Sequence, residues 1–174
     1  MIKKINGDLK VKVEETKQKI IENSKSVFIK KGLKNVTMTD LVEVSGYSRG
    51  GVYRYFKKPE EIFSALMRQE IKSLKEGLEK LTFEDYLALE EEELLNINNT
   101  LSLAGYEFMT SFSDSNELGA FIFETHVEMI EKIKGCSQVE AQKIFITLEG
   151  LRAMALAGIL TEEIMRNMFK TFTD

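Results

Sequence analysis

Arg49, Tyr53 and Arg54, followed by Lys57 and Lys58, gather two guanidinium groups, a phenol and two ammonium groups in one short stretch. This set breaks no bonds. It donates hydrogen bonds and positive charge, which suits phosphate oxygens and the edges of guanine bases. The residues that must position it run from Thr37 to Phe56 and read as two short helices joined by a tight turn at Ser45-Gly46-Tyr47. Thr37 can cap the first helix, with Asp40 three residues on, close to a capping box. Leu41 and Val44 fall at helical spacing and can face a core. Gly46 supplies the left-handed backbone that such a turn demands. Ser48 is a good cap for the second helix. Val52 and Phe56 are four apart and form the buried face, leaving Arg49, Gly50, Tyr53 and Arg54 to point elsewhere. Gly50 and Gly51 are poor helix formers, costing roughly 1 kcal/mol each relative to Ala. They suit a helix start that approaches another molecule closely, or else a frayed end. This is the pattern of a helix-turn-helix whose second helix enters a major groove.

Charge is distributed to match. The chain of 174 residues carries a net charge of -4. Residues 1–60 hold fourteen Lys or Arg against seven Asp or Glu, a balance of +7; the remainder hold ten against twenty-one, a balance of -11. Asymmetry of this kind points to nucleic acid at the basic end, with the acidic part held away from it. One cysteine, Cys136, and one histidine, His126, exclude an internal disulfide and a metal cluster of the usual spacing. A reducing cytoplasm is the expected location. No glycine-rich phosphate loop or nucleophile elbow is present, so an enzyme, a cofactor and a metal are not expected. The longest near-apolar run, Ala153 to Leu160, is too short to span a bilayer. Residues 1–12 are basic without an apolar segment and read as a loose arm rather than a signal peptide.

The helix-turn-helix and its flanks resemble the DNA-binding domain of the TetR (tetracycline repressor) family. The resemblance runs from about Thr16 to Met67. It rests on Phe28-Ile29-Lys30-Lys31-Gly32-Leu33, Val36-Thr37, Leu41-Val42, Ser45-Gly46-Tyr47-Ser48, Gly51-Val52-Tyr53, Tyr55-Phe56 and Glu60-Glu61-Ile62. It implies an all-α homodimer: an N-terminal three-helix domain, 13–58, that binds double-stranded DNA, and a helical domain, 59–174, that dimerises and holds a small-molecule effector. It also implies roles. Arg49 and Arg54 would reach base edges or phosphates. Thr37, Tyr53, Tyr55, Lys57 and Lys58 would position phosphates, with Thr39, Ser48 and Gly50 on the same surface. Two departures stand out. Pro59 replaces the phosphate-binding lysine common before the Glu that opens the fourth helix, a position where Lys57 or Lys58 could substitute. Val42 and Ser45 stand where small residues are frequent.

Periodicity outlines the rest. A first helix spans about Val13 to Lys31, with Ile20, Ser24, Val27 and Phe28 inward and Gly32 as its stop. A long helix from Pro59 carries Phe63, Met67, Ile71, Leu74, Leu78 and Leu81, and can serve as a lever between the domains. Phe83 to Leu95 is a fifth helix whose run Glu90-Glu91-Glu92-Glu93 could bind a cation but reads rather as a solvated face. Thr100–Phe112 and Leu118–Ile133 follow, separated by Ser113-Asp114-Ser115-Asn116. Tyr106, Phe108, Met109, Phe112, Phe123 and His126 could line a pocket for a mostly apolar ligand, or could be ordinary core; the resemblance favours the pocket. The final pair, Ser137–Leu160 and Thr161–Phe172, offers Leu148, Leu151, Met154, Ile164 and Met168 for a four-helix dimer interface, or for packing inside one chain. The reading that follows is a DNA-binding regulator, a repressor on a palindromic operator released by its ligand. The alternative is a helical adaptor that uses the same fold on protein partners.

Overall fold

The computed structural model describes residues 2–78, 80–112 and 115–173. Of the predicted break Ser113-Asp114-Ser115-Asn116, the first two residues fall outside this description, as do the side chains of the basic stretch 1–10, of Leu78 and of Ser115; Ser115 and Asn116 are helical, where a break was expected. Among the described residues the chain is all-helical: α1 (Ile2–Lys31), α2 (Met38–Ser45), α3 (Arg49–Tyr53), α4 (Pro59–Leu78), α5 (Phe83–Leu95), a 3-10 turn at Ile97–Asn99, α6 (Ser102–Ser111), α7 (Ser115–Lys134), α8 (Gln138–Leu156) and α9 (Glu162–Thr173). No helix among the described residues is long and apolar enough to cross a membrane.

Helix α1 begins at Ile2, where a loose arm was expected, because nothing in residues 2–12 stops a helix. They contain no proline, and the one glycine, Gly7, costs roughly 1 kcal/mol. The helix ends as expected at Gly32, whose φ is 68°. Thr37 and Asp40 form a complete capping box at α2: the Asp40 amide donates to Thr37 Oγ1 at 3.2 Å, and Asp40 Oδ2 accepts from the Thr37 amide at 2.9 Å. Gly46, with φ 76°, makes the turn. Ser48 Oγ accepts from the Gly51 amide at 3.2 Å and opens α3. Asn23 on α1 fastens the turn from outside, donating to the Ser45 carbonyl at 3.1 Å. Val44, expected in the core, lies on the surface; Met38, Leu41 and Ser45 form the buried side of α2 instead. Ser45 can occupy that side because its hydroxyl is satisfied locally, by the Val42 carbonyl and the Tyr47 amide. Replacing Thr37 with Ala is expected to lower stability by about 1 kcal/mol, measured by urea unfolding; no change would mean that α2 is held by packing alone.

Two cores result. The first joins Ile20, Phe28, Leu41, Val52, Ile62 and Phe63 of α1–α4 with Ala104, Phe108 and Leu118 of α6 and α7. The second is built by α5, α7, α8 and α9 around Tyr86, Ile130, Leu148, Met165 and Phe172. Pro59 sits at the first position of α4, where its missing amide hydrogen is no loss. Leu81 lies beyond the end of α4 but still packs on the second core. Helix α8 stops at Leu156, short of Leu160, because Gly158 takes φ 71°.

Candidate nucleic-acid interface and small-molecule cavity

The turn and its caps fix α3 on the molecule's surface with Arg49, Gly50 and Arg54 exposed, and with Tyr53 and Tyr55 half-buried beside them. The Arg49 guanidinium lies 5.3 Å from the Tyr53 ring centre, and that of Arg54 lies 5.8 Å from the Tyr55 ring. Each ring steadies the arginine next to it by cation–π attraction, so both cations are held near the helix and face solvent. Thr37, Thr39, Ser48, Lys57 and Lys58 are exposed around them. The hydroxyls of Thr37 and Ser48 already serve as caps, and Lys57 Nζ donates to the Tyr53 carbonyl at the end of α3. A Cβ added at Gly50 would meet nothing within 4 Å, so the chain's own packing does not require glycine there.

Behind this domain lies a cavity of about 840 Å³ walled by α1, α4, α5, α6, α7 and α8. That volume is in the range of small-molecule sites, roughly 300–1,000 Å³. Tyr106, Phe108, Met109, Phe123 and His126 line it. Phe112 does not: at the end of α6 it turns back to stack on Phe108, at 5.7 Å, and packs on the first core. His126 is buried rather than exposed; its Nδ1 bonds the Ile122 carbonyl at 2.8 Å and its ring lies 5.1 Å from Phe145. Burial holds its pKa below the ordinary value, against the pull of that carbonyl, so it is neutral and donates to Ile122.

One side of the cavity is charged. Arg152 of α8, 7% exposed, pairs through Nη2 with Glu90, and with Glu93 at 3.5 Å, and through Nη1 with Glu149 at 2.6 Å. Tyr106 donates to Glu149, with its hydroxyl 2.7 Å from the backbone carbonyl and 3.1 Å from Oε2. Ser102 donates to Glu93 at 3.1 Å. Burial pushes the Glu90 carboxyl up while Arg152 pulls it back. Burial also works against the Arg152 charge, but Glu90, Glu93 and Glu149 outweigh it and keep the guanidinium ionised. The Tyr106 hydroxyl is driven above its ordinary range by burial and then by Glu149.

The run Glu90–Glu93 is therefore not a plain solvated face: Glu90 is 4% exposed and faces inward. The sequence held a signal that pattern reading passed over. Glu90 sits on the apolar side of its own helix, with Phe83, Leu87 and Leu94, and Arg152 follows Leu148 and Leu151. A charge on the buried face of each of two helices calls for a partner.

The dimer candidates divide. Leu148 and Leu151, at 0% and 3% exposure, belong to the second core of the single chain and are not available to a second copy. Met154 and Met168 are half-buried, and Ile164 is exposed. The outward face of α8 is instead Val139, Ile146, Gly150, Ala153 and Ala157, all exposed and spaced at three, four and seven residues.

Comparison with known proteins agrees with this architecture. Residues 20–66 match the family profile of bacterial regulatory proteins of the tetR family. The HTH-type transcriptional regulator YfiR of Bacillus subtilis is 31% identical over 147 residues, covering 75% of this chain and 70% of YfiR. In fold, a TetR-family transcriptional regulator from Syntrophomonas wolfei superposes with a TM-score of 0.65 at 21% identity, covering 91% of this chain and 93% of that one. NalD, described as the secondary repressor of the MexAB-OprM multidrug efflux pump in Pseudomonas aeruginosa, superposes at 0.60 with 16% identity, covering 91% of this chain and 96% of NalD. With a helix-turn-helix of this construction and a relative matched along most of its length, the chain belongs to the TetR family of bacterial transcriptional regulators.

Proposed function

We propose that this regulator is a repressor that binds a palindromic operator as a homodimer, and that a small, mostly apolar molecule in the cavity releases it. The observation that carries the reading is the double membership of α4. Phe63 is 0% exposed, packs in the first core with the helix-turn-helix, and also lines the cavity. Met67, Ile71 and Leu74 continue along the cavity wall from the same helix. A ligand that repacks this wall moves α4, whose Ile62 and Phe63 share the first core with Val52 of α3, and so changes the separation of two recognition helices in a dimer. The exposed small and apolar face of α8, with Ile164 and Met168 of α9, is the surface offered to the second copy. The repression known for NalD supports the same sign of regulation. Two recognition helices related by a two-fold axis read half-sites in successive major grooves.

Selection from a random duplex library tests the reading. A palindromic consensus whose affinity falls steeply with salt is expected. No enrichment over bulk DNA would overturn it and favour the adaptor. On the selected sequence, Arg54→Ala is expected to lose about 1–3 kcal/mol per half-site, with a much smaller loss on unrelated DNA. Equal losses on both would remove Arg54 from base recognition and leave it a phosphate contact.

A further inference from the structure

We infer that the ligand of the cavity is a bulky organic cation, its charge held at the Glu90–Glu93–Glu149 side and its body on the apolar wall. The inference rests on the cavity being the effector site. The charged side chains lining it are two cations, Lys25 and Arg152, and four carboxylates, Glu70, Glu90, Glu93 and Glu149. Lys25 and Glu70 cancel each other in a pair at 2.7 Å. Arg152 is left facing three carboxylates, a formal surplus of two negative charges, and a protonated Glu90 would still leave one. His126 is neutral and adds none.

An anion finds no uncommitted cation here, because Lys25 is paired with Glu70 and both terminal nitrogens of Arg152 are already engaged by carboxylates. Independent of charge, the hydroxyl of Tyr86 points to a bound polar group. Tyr86 is 1% exposed and lines the cavity, and its hydroxyl makes no hydrogen bond of good geometry, although the Glu90 carboxylate lies beside it. A buried hydroxyl without a good hydrogen bond is costly, and a ligand heteroatom beside Glu90 would satisfy it. The rings of Tyr86, Tyr106 and Phe145 line the same side and can face a cation. A small hydrated metal ion fits poorly, since the other walls cannot replace its water. A cation whose charge is spread over a large apolar body loses little hydration on entering.

The full-length protein should be titrated, by calorimetry, with tetraphenylphosphonium and tetraphenylborate, which share size and shape and differ in sign. The phosphonium is expected to bind at least about tenfold more tightly. Glu93→Gln and Glu149→Gln, both at half-exposed positions, are each expected to weaken the phosphonium several-fold and to narrow the gap to the borate. Circular dichroism checks that both variants are folded, and two variants keep the test alive if one is not. Equal affinities, tighter borate, or no phosphonium binding would overturn the cation assignment. Selected operator duplex separates this outcome from the broader reading. Phosphonium that binds without releasing DNA leaves the ligand class standing and removes ligand-controlled release; operator binding without any phosphonium affinity does the reverse.

Discussion

Replacing Arg152 with Met is expected to destabilise the protein by about 3–5 kcal/mol near neutral pH, because it removes one member of a buried charge cluster and strands another. The ion pair itself contributes little net stability, since desolvation offsets most of the attraction. The cost lies in what remains. Glu90 is 4% exposed and would keep its charge with no counter-ion, whereas Glu93 and Glu149 are more than a third exposed and can turn to water. Burial already raises the Glu90 pKa above the usual 4.5, and losing Arg152 raises it further. A carboxyl raised in the folded state stabilises the fold fully below its unfolded pKa, and that stability is lost as pH rises through the folded value. The gap between Arg152→Met and the parent is therefore expected to narrow as pH falls from neutral toward about 4.5, in urea unfolding at several pH values. Adding Glu90→Met to Arg152→Met should restore most of the loss at neutral pH, because an apolar pair needs no partner. A gap that ignores pH, or a double variant no better than the single, would move the cost from the stranded charge to lost packing of the arginine stem.

What was legible in the chain divides along the same line, between interactions made within a few residues and those made across the fold. The helix-turn-helix could be read because its determinants are local. Thr37 and Asp40 are three apart, Gly46 stands alone at the turn, Ser48 caps Gly51, and Val52 and Phe56 share a face. The Arg152–Glu90 pair joins residues 62 apart, and no local pattern announces it. The apolar character of α8 was visible, but not which side met its own core, because Leu148 and Ile146 look alike until α5, α7 and α9 take one side. Phe112 likewise has the composition of a cavity residue and the position of a core one; only the end of α6, where the chain leaves the helix, decides. The start of α1 was misplaced for the opposite reason: its first residues lack a periodic apolar face, yet nothing in them breaks a helix.

Phe63→Ala is expected to cost about 3–5 kcal/mol, as truncating a fully enclosed aromatic does, and its functional consequence is the more informative one. The ring stands edge-on to Phe28 of α1 at 5.2 Å and tilted against Phe108 of α6 at 5.6 Å. It is thus the piece of α4 that touches the helix-turn-helix domain on one side and the cavity wall on the other. Phe63→Leu keeps much of the volume and is expected to fold, while removing the edge contacts through which the two sides respond to each other. If α4 acts as a lever, operator duplex should slow hydrogen exchange in α5, α6 and α8 of the parent, because coupling between sites is reciprocal. In Phe63→Leu the duplex should still protect α2 and α3, but the protection should no longer reach the cavity wall. Equal protection of the wall in both proteins would show that the signal takes another route. The first place to look would be the Glu107 carboxylate of α6, which accepts the backbone amide of Lys34 in the α1–α2 loop at 3.0 Å.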